Sequence, residues 1–367
     1  MSVQVSYKKQ FLLGIMLLFT ILIIIEISAR IYEFQNPNMF CQLAGADVLE
    51  NNDDALAREL CREHLFLNYD KGHVLEVIPN QHMTYQNVNN FGFRGEDITQ
   101  EKPENVYRIF VVGGSTTFGG GASSDMHTIP GFLQQKLNEL DLDFDVEVIN
   151  AGVPGQYSFG ELYLIKNKII KFEPDLIIIY DGWNDSQNRN YIEPDLDQIE
   201  KQNQEPNQNF TFKNFPFYRT PHVVFTLFFH ETFVAATGES VRDEVVRLWK
   251  ERMTEACSLG NEKGFDILIA VQPIIGAGNK TLSEHEKKFA PNTEHRIETV
   301  TILNRLANSL NEIEQSCQYT VDLRSVFDDI SEPVYFDEGH MVDYGNEIVA
   351  QKLFESSHSI ILENQKK

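Results

Sequence analysis

The chain has 367 residues, with 31 Lys and Arg against 54 Asp and Glu, for a formal net charge of −23. A surface this acidic repels phosphate backbones and anionic lipid headgroups, which argues against nucleic acid as a partner. The length exceeds that of a usual single domain, yet suits one α/β catalytic domain with additions.

The first element is apolar. Phe11 to Ile25 is unbroken except for Gly14 and Thr20, with Lys8 and Lys9 before it and Glu26, Ser28, Ala29 and Arg30 after it. Such a run is directed to a membrane, either as a signal anchor that stays or as a signal peptide that is removed. Extension to Ala29 brings it near the roughly 20 residues that a spanning helix needs. Ile27 breaks the small-x-small cleavage rule, so the anchor is the favoured reading. Lys8 and Lys9 then hold the short N-terminus in the cytoplasm and leave the rest of the chain outside the cell membrane.

Residues 1–30 are thus read as cytoplasmic tip and anchor. Residues 31–105 are read as an extracytoplasmic stem and lead-in, turn-rich at Asn51-Asn52-Asp53-Asp54 and Asn87-Val88-Asn89-Asn90, with a helix-like stretch from Asp53 to Glu63. Four cysteines, Cys41, Cys61, Cys257 and Cys317, fit an oxidising location. Among the possible pairings, Cys41 with Cys61 and Cys257 with Cys317 is preferred on locality alone, and four free thiols are the alternative in a reducing compartment.

From Val106 onward, short apolar runs alternate with helical periodicity. Tyr107–Val112, Val146–Ile149, Leu176–Tyr180 and Ile267–Val271 read as buried strands, and Pro130–Leu140, Gly160–Phe172, Val241–Leu259 and Glu294–Ser316 as helices. The alternation predicts an α/β domain over residues 106–367, with a central parallel sheet covered on both faces. An insertion over about residues 187–240 interrupts it. That segment is first rich in Asn and Gln and then aromatic, with Phe210, Phe212, Phe215, Phe217 and Tyr218 followed by Phe225, Phe228, Phe229 and Phe233. A loop this long inside a compact domain is functional or disordered, so the segment is expected to cap a crevice, while any single Phe also suits a small core of the insertion's own.

Short blocks after these strands carry the chemistry. Gly113-Gly114-Ser115-Thr116 follows the first strand and presents a hydroxyl at a helix start, where backbone N–H groups favour negative charge. Alone, Ser115 would read as a helix cap, and the missing Gly-Lys-Ser/Thr excludes a Walker-type phosphate loop. Asn150-Ala151-Gly152-Val153-Pro154-Gly155 follows the second strand and Gly182-Trp183-Asn184-Asp185 the third. Loops at the carboxyl ends of parallel strands form the ligand crevice, so these blocks converge on one edge of the sheet. Near the end, Asp337-Glu338-Gly339-His340 spaces a carboxylate and an imidazole so that one helical turn would aim them the same way. His64, His73, His82, His127, His222, His230, His285, His295 and His358 lack such a context and read as solvated or packed.

In this order the blocks resemble those of the SGNH hydrolases, the GDSL-like esterase and lipase superfamily, named for a Ser, a Gly, an Asn and a His. The resemblance begins at Asn90-Phe91-Gly92-Phe93-Arg94-Gly95 and runs to about Ala350. Gly114 stands where GDSL proteins have Asp, and Thr116 where they have Leu, a departure outside the catalytic set. The resemblance implies a three-layer, flavodoxin-like fold and a triad of Ser115, His340 and Asp337. It also implies an oxyanion hole built from the N–H of Ser115, the N–H of Gly155 and the side-chain amide of Asn184, with no metal and no cofactor. Gly155 is preferred over Gly152, which suits the turn itself.

The activity expected from the resemblance is extracytoplasmic hydrolysis of acyl esters, acetyl esters included, of glycans or lipids. An O-acyltransferase with the same triad and a surface binding protein that has lost activity are the alternatives. Asn209-Phe210-Thr211 and Asn279-Lys280-Thr281 match the glycosylation sequon, as does Asn184-Asp185-Ser186, where modification would block the site.

Overall fold

A computed structural model describes residues 6–35, 67–70, 74–187 and 237–364. The proposed Cys41–Cys61 bridge, the helix-like stretch from Asp53 to Glu63, the Asn209 sequon and the aromatic part of the insertion lie outside the described residues. Helix α1 (Tyr7–Gln35) and the remaining described elements belong to two compact units. Within α1, Tyr7–Ala29 is long and apolar enough to cross a membrane, a signature that a signal sequence shares.

Two small antiparallel hairpins come first in the other unit, β1 (Leu67–Asp70) with β2 (Val74–Val77) and β3 (Gln81–His82) with β4 (Asn87–Val88). The main sheet is built from β5 (Val106–Gly113), β6 (Asp145–Gly152), β7 (Leu176–Asp181), β8 (Asp266–Val271) and β9 (Tyr319–Asp322). All five pair in parallel, in the order β6-β5-β7-β8-β9. This is the flavodoxin-like order, in which the connections leave in opposite directions after β5 and β7 and open a crevice at their carboxyl ends.

Helices α2 (Ser115–Phe118) and α3 (Ile129–Asn138) follow β5, and α4 (Ser158–Asn167) follows β6. Next come α5 (Trp183–Gln187) and α6 (Glu239–Lys263) after β7, α7 (Glu294–Asn308) and α8 (Leu310–Ile313) after β8, and α9 (Asp343–Asn364) after β9. Successive strand residues face opposite ways, so a run buried on both faces must be apolar throughout. In β5, Ile109 and Val111 pack with Leu133 of α3 and Leu353 of α9, while Phe110 and Val112 pack with Ile165 of α4, Met253 of α6 and Leu303 of α7. The three layers follow from that alternation. Truncating one fully buried member such as Leu133 to Ala would cost about 2–5 kcal/mol.

Several boundaries differ from the sequence reading. The helix expected over Gly160–Phe172 ends as α at Asn167 and continues as a 3-10 turn, Ile169–Phe172. The one expected over Glu294–Ser316 breaks at Ser309, whose hydroxyl donates to the Leu306 carbonyl and closes α7. Strand β9 has no counterpart among the expected strands, because it is a four-residue edge strand, only half buried, with Thr320 and Asp322 in place of an apolar run. Cys257 of α6 and Cys317, just before β9, form the preferred disulfide, with 5.2 Å between their Cα atoms.

Residues of the lead-in are part of the packed core. Phe93 stands edge-on to Phe110 and Phe172, with ring centroids 5.4 Å apart in both pairs.

Candidate active site

Two glycines let β5 turn abruptly into α2. A Cβ on Gly113 would lie 2.1 Å from Thr117 Oγ1 and 2.3 Å from the Tyr180 carbonyl oxygen, and one on Gly114 would lie 2.3 Å from Asn184 Nδ2. Only glycine fits at 113, against the Tyr180 backbone, and a side chain at 114 would push the Asn184 amide from its place. Ser115 is therefore delivered as the first residue of α2, directly at the switch point of the sheet.

The other end of this short helix is held from the lead-in. Arg94 Nη1 donates to the Phe118 and Gly119 carbonyls at 2.9 and 2.8 Å, Nη2 to the Tyr85 carbonyl at 2.9 Å, and Nε to Asp125 Oδ1 at 2.7 Å. A buried cation at the carbonyl end of a helix is favourable, since those oxygens have no intrahelical donor. Sequence reasoning quoted Arg94 only as part of a resemblance and missed this contact. The signal was there in part, since an Arg between apolar residues and glycine must find several acceptors if buried.

His340 Nε2 lies 2.7 Å from Ser115 Oγ, and His340 Nδ1 lies 2.7 Å from Asp337 Oδ2. Ser115, His340 and Asp337 are thus brought together in one hydrogen-bonded row. The expected helical turn is absent. Asp337 and His340 face each other because the segment closes on itself, with Tyr335 bridging Met341 and the Phe336 N–H donating to the His340 carbonyl. Asp337 Oδ1 accepts the N–H groups of Gly339 and His340 at 3.0 and 2.7 Å, which fixes the carboxylate and leaves Oδ2 for the ring. Phe336 stacks on the imidazole at 5.5 Å and Trp183 meets it edge-on at 5.0 Å. Gly339 passes so close to Trp183 that a Cβ would be 2.7 Å from the indole.

Val153-Pro154-Gly155-Gln156 forms a turn closed by the Gln156 N–H on the Val153 carbonyl at 3.0 Å. Pro in its second place and Gly155 at φ +80° in its third give the type II form. The bond that closes the turn leaves the Gly155 N–H unused, and among the described residues nothing else accepts it. Gly152 serves packing instead, because its Cβ would lie 2.1 Å from the Phe118 nitrogen. Asn184, half-buried on α5, donates through Nδ2 to the Gln156 carbonyl at 2.5 Å, which leaves its second amide hydrogen free to turn toward a ligand. A Cβ on Gly114 would be 3.3 Å from that same carbonyl, so the three strand-end blocks touch at one point.

Two other histidines have defined roles in packing. His285 is buried with Nε2 3.0 Å from the Phe336 carbonyl, and His127 Nδ1 lies 2.6 Å from Ser123 Oγ and 3.2 Å from Asp343 Oδ2. Of the two described sequons, Asn279 is exposed while Asp185 and Ser186 beside Asn184 are buried.

No protein-family model and no curated protein matches the chain. Solved structures similar to it include the acetyl xylan esterase AlAXEase, at 14% identity over 68% of this chain and 98% of that one, with a TM-score of 0.41. Axe2, an acetylxylan esterase from Geobacillus stearothermophilus, is 13% identical over 68% and 93%, with a TM-score of 0.42. A protein described as lipolytic and of the G-D-S-L family, from Desulfitobacterium hafniense DCB-2, is 11% identical over 68% and 98%, with a TM-score of 0.40. These likenesses are remote. The chemistry of the site rests on its own distances.

Proposed function

We propose that this chain is a serine ester hydrolase of the SGNH type, held at a membrane by its N-terminal helix with the catalytic unit outside. The observation that carries the reading is the row Ser115 Oγ, His340 Nε2, His340 Nδ1 and Asp337 Oδ2, with 2.7 Å at each hydrogen bond between residues. A hydroxyl is a poor nucleophile at its own pKa and attacks only when a base takes its proton. His340 is that base, and Asp337 keeps the proton on Nδ1, so that the Nε2 lone pair faces Ser115.

In the reaction, Ser115 Oγ bonds to the carbonyl carbon of an acyl ester as its proton passes to Nε2. The carbonyl oxygen becomes an oxyanion, held by the N–H groups of Ser115 and Gly155 and by the Asn184 amide. The imidazolium returns the proton to the leaving alcohol as the C–O bond breaks, and water then repeats the sequence on the acyl-enzyme. Donors fixed in advance stabilise the transition state more than the bound ester, and each is worth about a hundredfold or more in turnover. Acyl esters of glycans or lipids, acetyl esters among them, are the proposed substrates.

Outside location is supported by the Lys8–Lys9 flank of the apolar helix and by the Cys257–Cys317 disulfide, a bond that persists in oxidising compartments. The test is hydrolysis of p-nitrophenyl acetate by the full chain in detergent micelles, beside its Ser115→Ala form. The wild-type chain should turn over and take up one fluorophosphonate on Ser115, as read by peptide mass. Equal rates in the two forms, or labelling elsewhere, would reject the assignment.

A further inference from the structure

Behind the crevice the fold buries three carboxylates with one cation. Glu161 of α4, Asp181 at the end of β7 and Asp185 of α5 interact with each other, Arg252 of α6 faces Glu161 and Asp185, and all four side chains are buried. Burial first, and then the neighbouring carboxylates, hold the Glu161 and Asp181 carboxyls well above their ordinary range. Asp181 accepts the Trp249 indole N–H at 2.9 Å, and Asp185 is tied to the start of α4. Ser158 gives Asp185 a backbone N–H, 2.8 Å from Oδ2, and a hydroxyl, 2.5 Å from Oδ1. Arg252 Nη1 stands 3.7 Å from Oδ1 and donates to Ser158 Oγ at 3.0 Å.

The placement of these partners is what matters. Ser158 opens α4 just beyond the Gly155 turn, and Asp185 follows Asn184 directly. Tyr157, in the cap position of α4, supplies no side-chain hydrogen bond to the helix start, and Asp185 of α5 caps the first turn instead. One carboxylate thereby joins the segment carrying one oxyanion donor to the helix carrying another. The Asn184 bond to the Gln156 carbonyl is the second tie between them.

We propose that Asp185 is the positioning residue of the oxyanion hole, setting the Gly155 N–H and the Asn184 amide at the spacing a tetrahedral oxyanion needs. The assignment rests on the serine esterase reading above and gives Asp185 no contact with substrate.

Asp185→Ala is expected to lower kcat on p-nitrophenyl acetate about 10- to 100-fold, with KM changed by less than about twofold, since a displaced donor is missed in the transition state rather than in the bound ester. Binding of an alkylboronic acid, whose oxygen reaches the same donors once boron bonds to Ser115, should weaken by the same factor. In an Asn184→Ala background, removing Asp185 should add less than about threefold, because one donor it sets is already gone. Ser158→Ala keeps the charge and the N–H bond, and should lower kcat about 3- to 10-fold, which covers the case in which Asp185→Ala does not fold.

The proposal is overturned if the loss appears in KM, if the full factor persists without Asn184, or if Ser158→Ala matches the wild type. A Ser115→Ala control separates this proposal from the reading beneath it. Turnover by Ser115→Ala equal to that of the wild type would remove the esterase reading, whereas a Ser115→Ala form that has lost most of its turnover beside an unimpaired Asp185→Ala would remove the positioning role alone.

Discussion

Asp337→Asn is a stringent test of how the triad is held. Asp337 Oδ1 accepts from the Gly339 and His340 N–H groups at 3.0 and 2.7 Å, while Oδ2 accepts from Nδ1 at 2.7 Å. An asparagine keeps both backbone bonds only with its carbonyl oxygen in the Oδ1 place. Its NH2 group then sits where Oδ2 was, and two donors collide unless His340 gives up the Nδ1 proton. The ring answers by carrying its proton on Nε2, aimed at Ser115, where it has no lone pair left to accept the hydroxyl proton. Flipping the amide would instead strand two buried N–H groups, at about 1–3 kcal/mol each. The expected loss in kcat/KM is about 10⁴-fold, or about 5.5 kcal/mol at 1.36 kcal/mol per factor of ten. Asp337→Ala, which imposes no tautomer, should retain more activity than Asp337→Asn. The assay is p-nitrophenyl acetate hydrolysis between about pH 6 and about pH 9, with thermal unfolding to verify the fold. An Asn variant within tenfold of wild type, or more active than the Ala variant, would refute the reasoning.

Other outcomes follow from the geometry of the fold. Cleaving the Cys257–Cys317 bridge, whose partners are 60 residues apart, should cost about 4 kcal/mol of loop-closure entropy, read as a lower denaturant midpoint under reductant; identical midpoints would contradict this. Gly152→Ala puts a Cβ 2.1 Å from the backbone nitrogen of Phe118 and should abolish activity or folding, whereas Gly155→Ala meets only Leu75 at 3.3 Å and a φ of +80°, a strain of about 1–3 kcal/mol; comparable damage from both, in Tm and kcat, would be the contrary result. The buried Glu161 and Asp181 carboxyls have raised pKa values, so the stability they contribute is complete below their ordinary values of 4.5 and 3.8 and is lost as pH climbs through the raised ones. Glu161→Gln should therefore gain in Tm relative to wild type as pH rises from about 5 to about 9, and a difference that stays constant would speak against a protonated Glu161.

The sheet was legible because its strands are buried on both faces. Val106–Gly113 is apolar or glycine at every position but Arg108, and Leu176–Asp181 at every position but its last, a pattern that marks a strand covered on both sides. The positions of Ser115, Asn184 and Gly155 were legible for a related reason, since strand ends in a parallel sheet share one edge. Strand β9 escaped because an edge strand with one exposed face carries little periodicity in four residues. Geometry at His340 escaped for another reason. A spacing of three suits a helical turn and equally a carboxylate that caps two N–H groups, and only the Tyr335–Met341 bridge distinguishes them. Arg94 and Asp185 act through carbonyls and a helix start that belong to other elements, contacts that no local pattern encodes.

Ser115 and His340 are separated by 225 positions along the polypeptide. At about 5–20 residues per second, a ribosome adds that span in on the order of 10 to 50 seconds. Throughout that interval the nascent hydroxyl has no imidazole from the Tyr335–Met341 turn beside it, and on the proposed reading a molecule halted before that turn is inert toward esters. On that reading competence arrives late and all at once, with the turn that follows the last strand of the sheet.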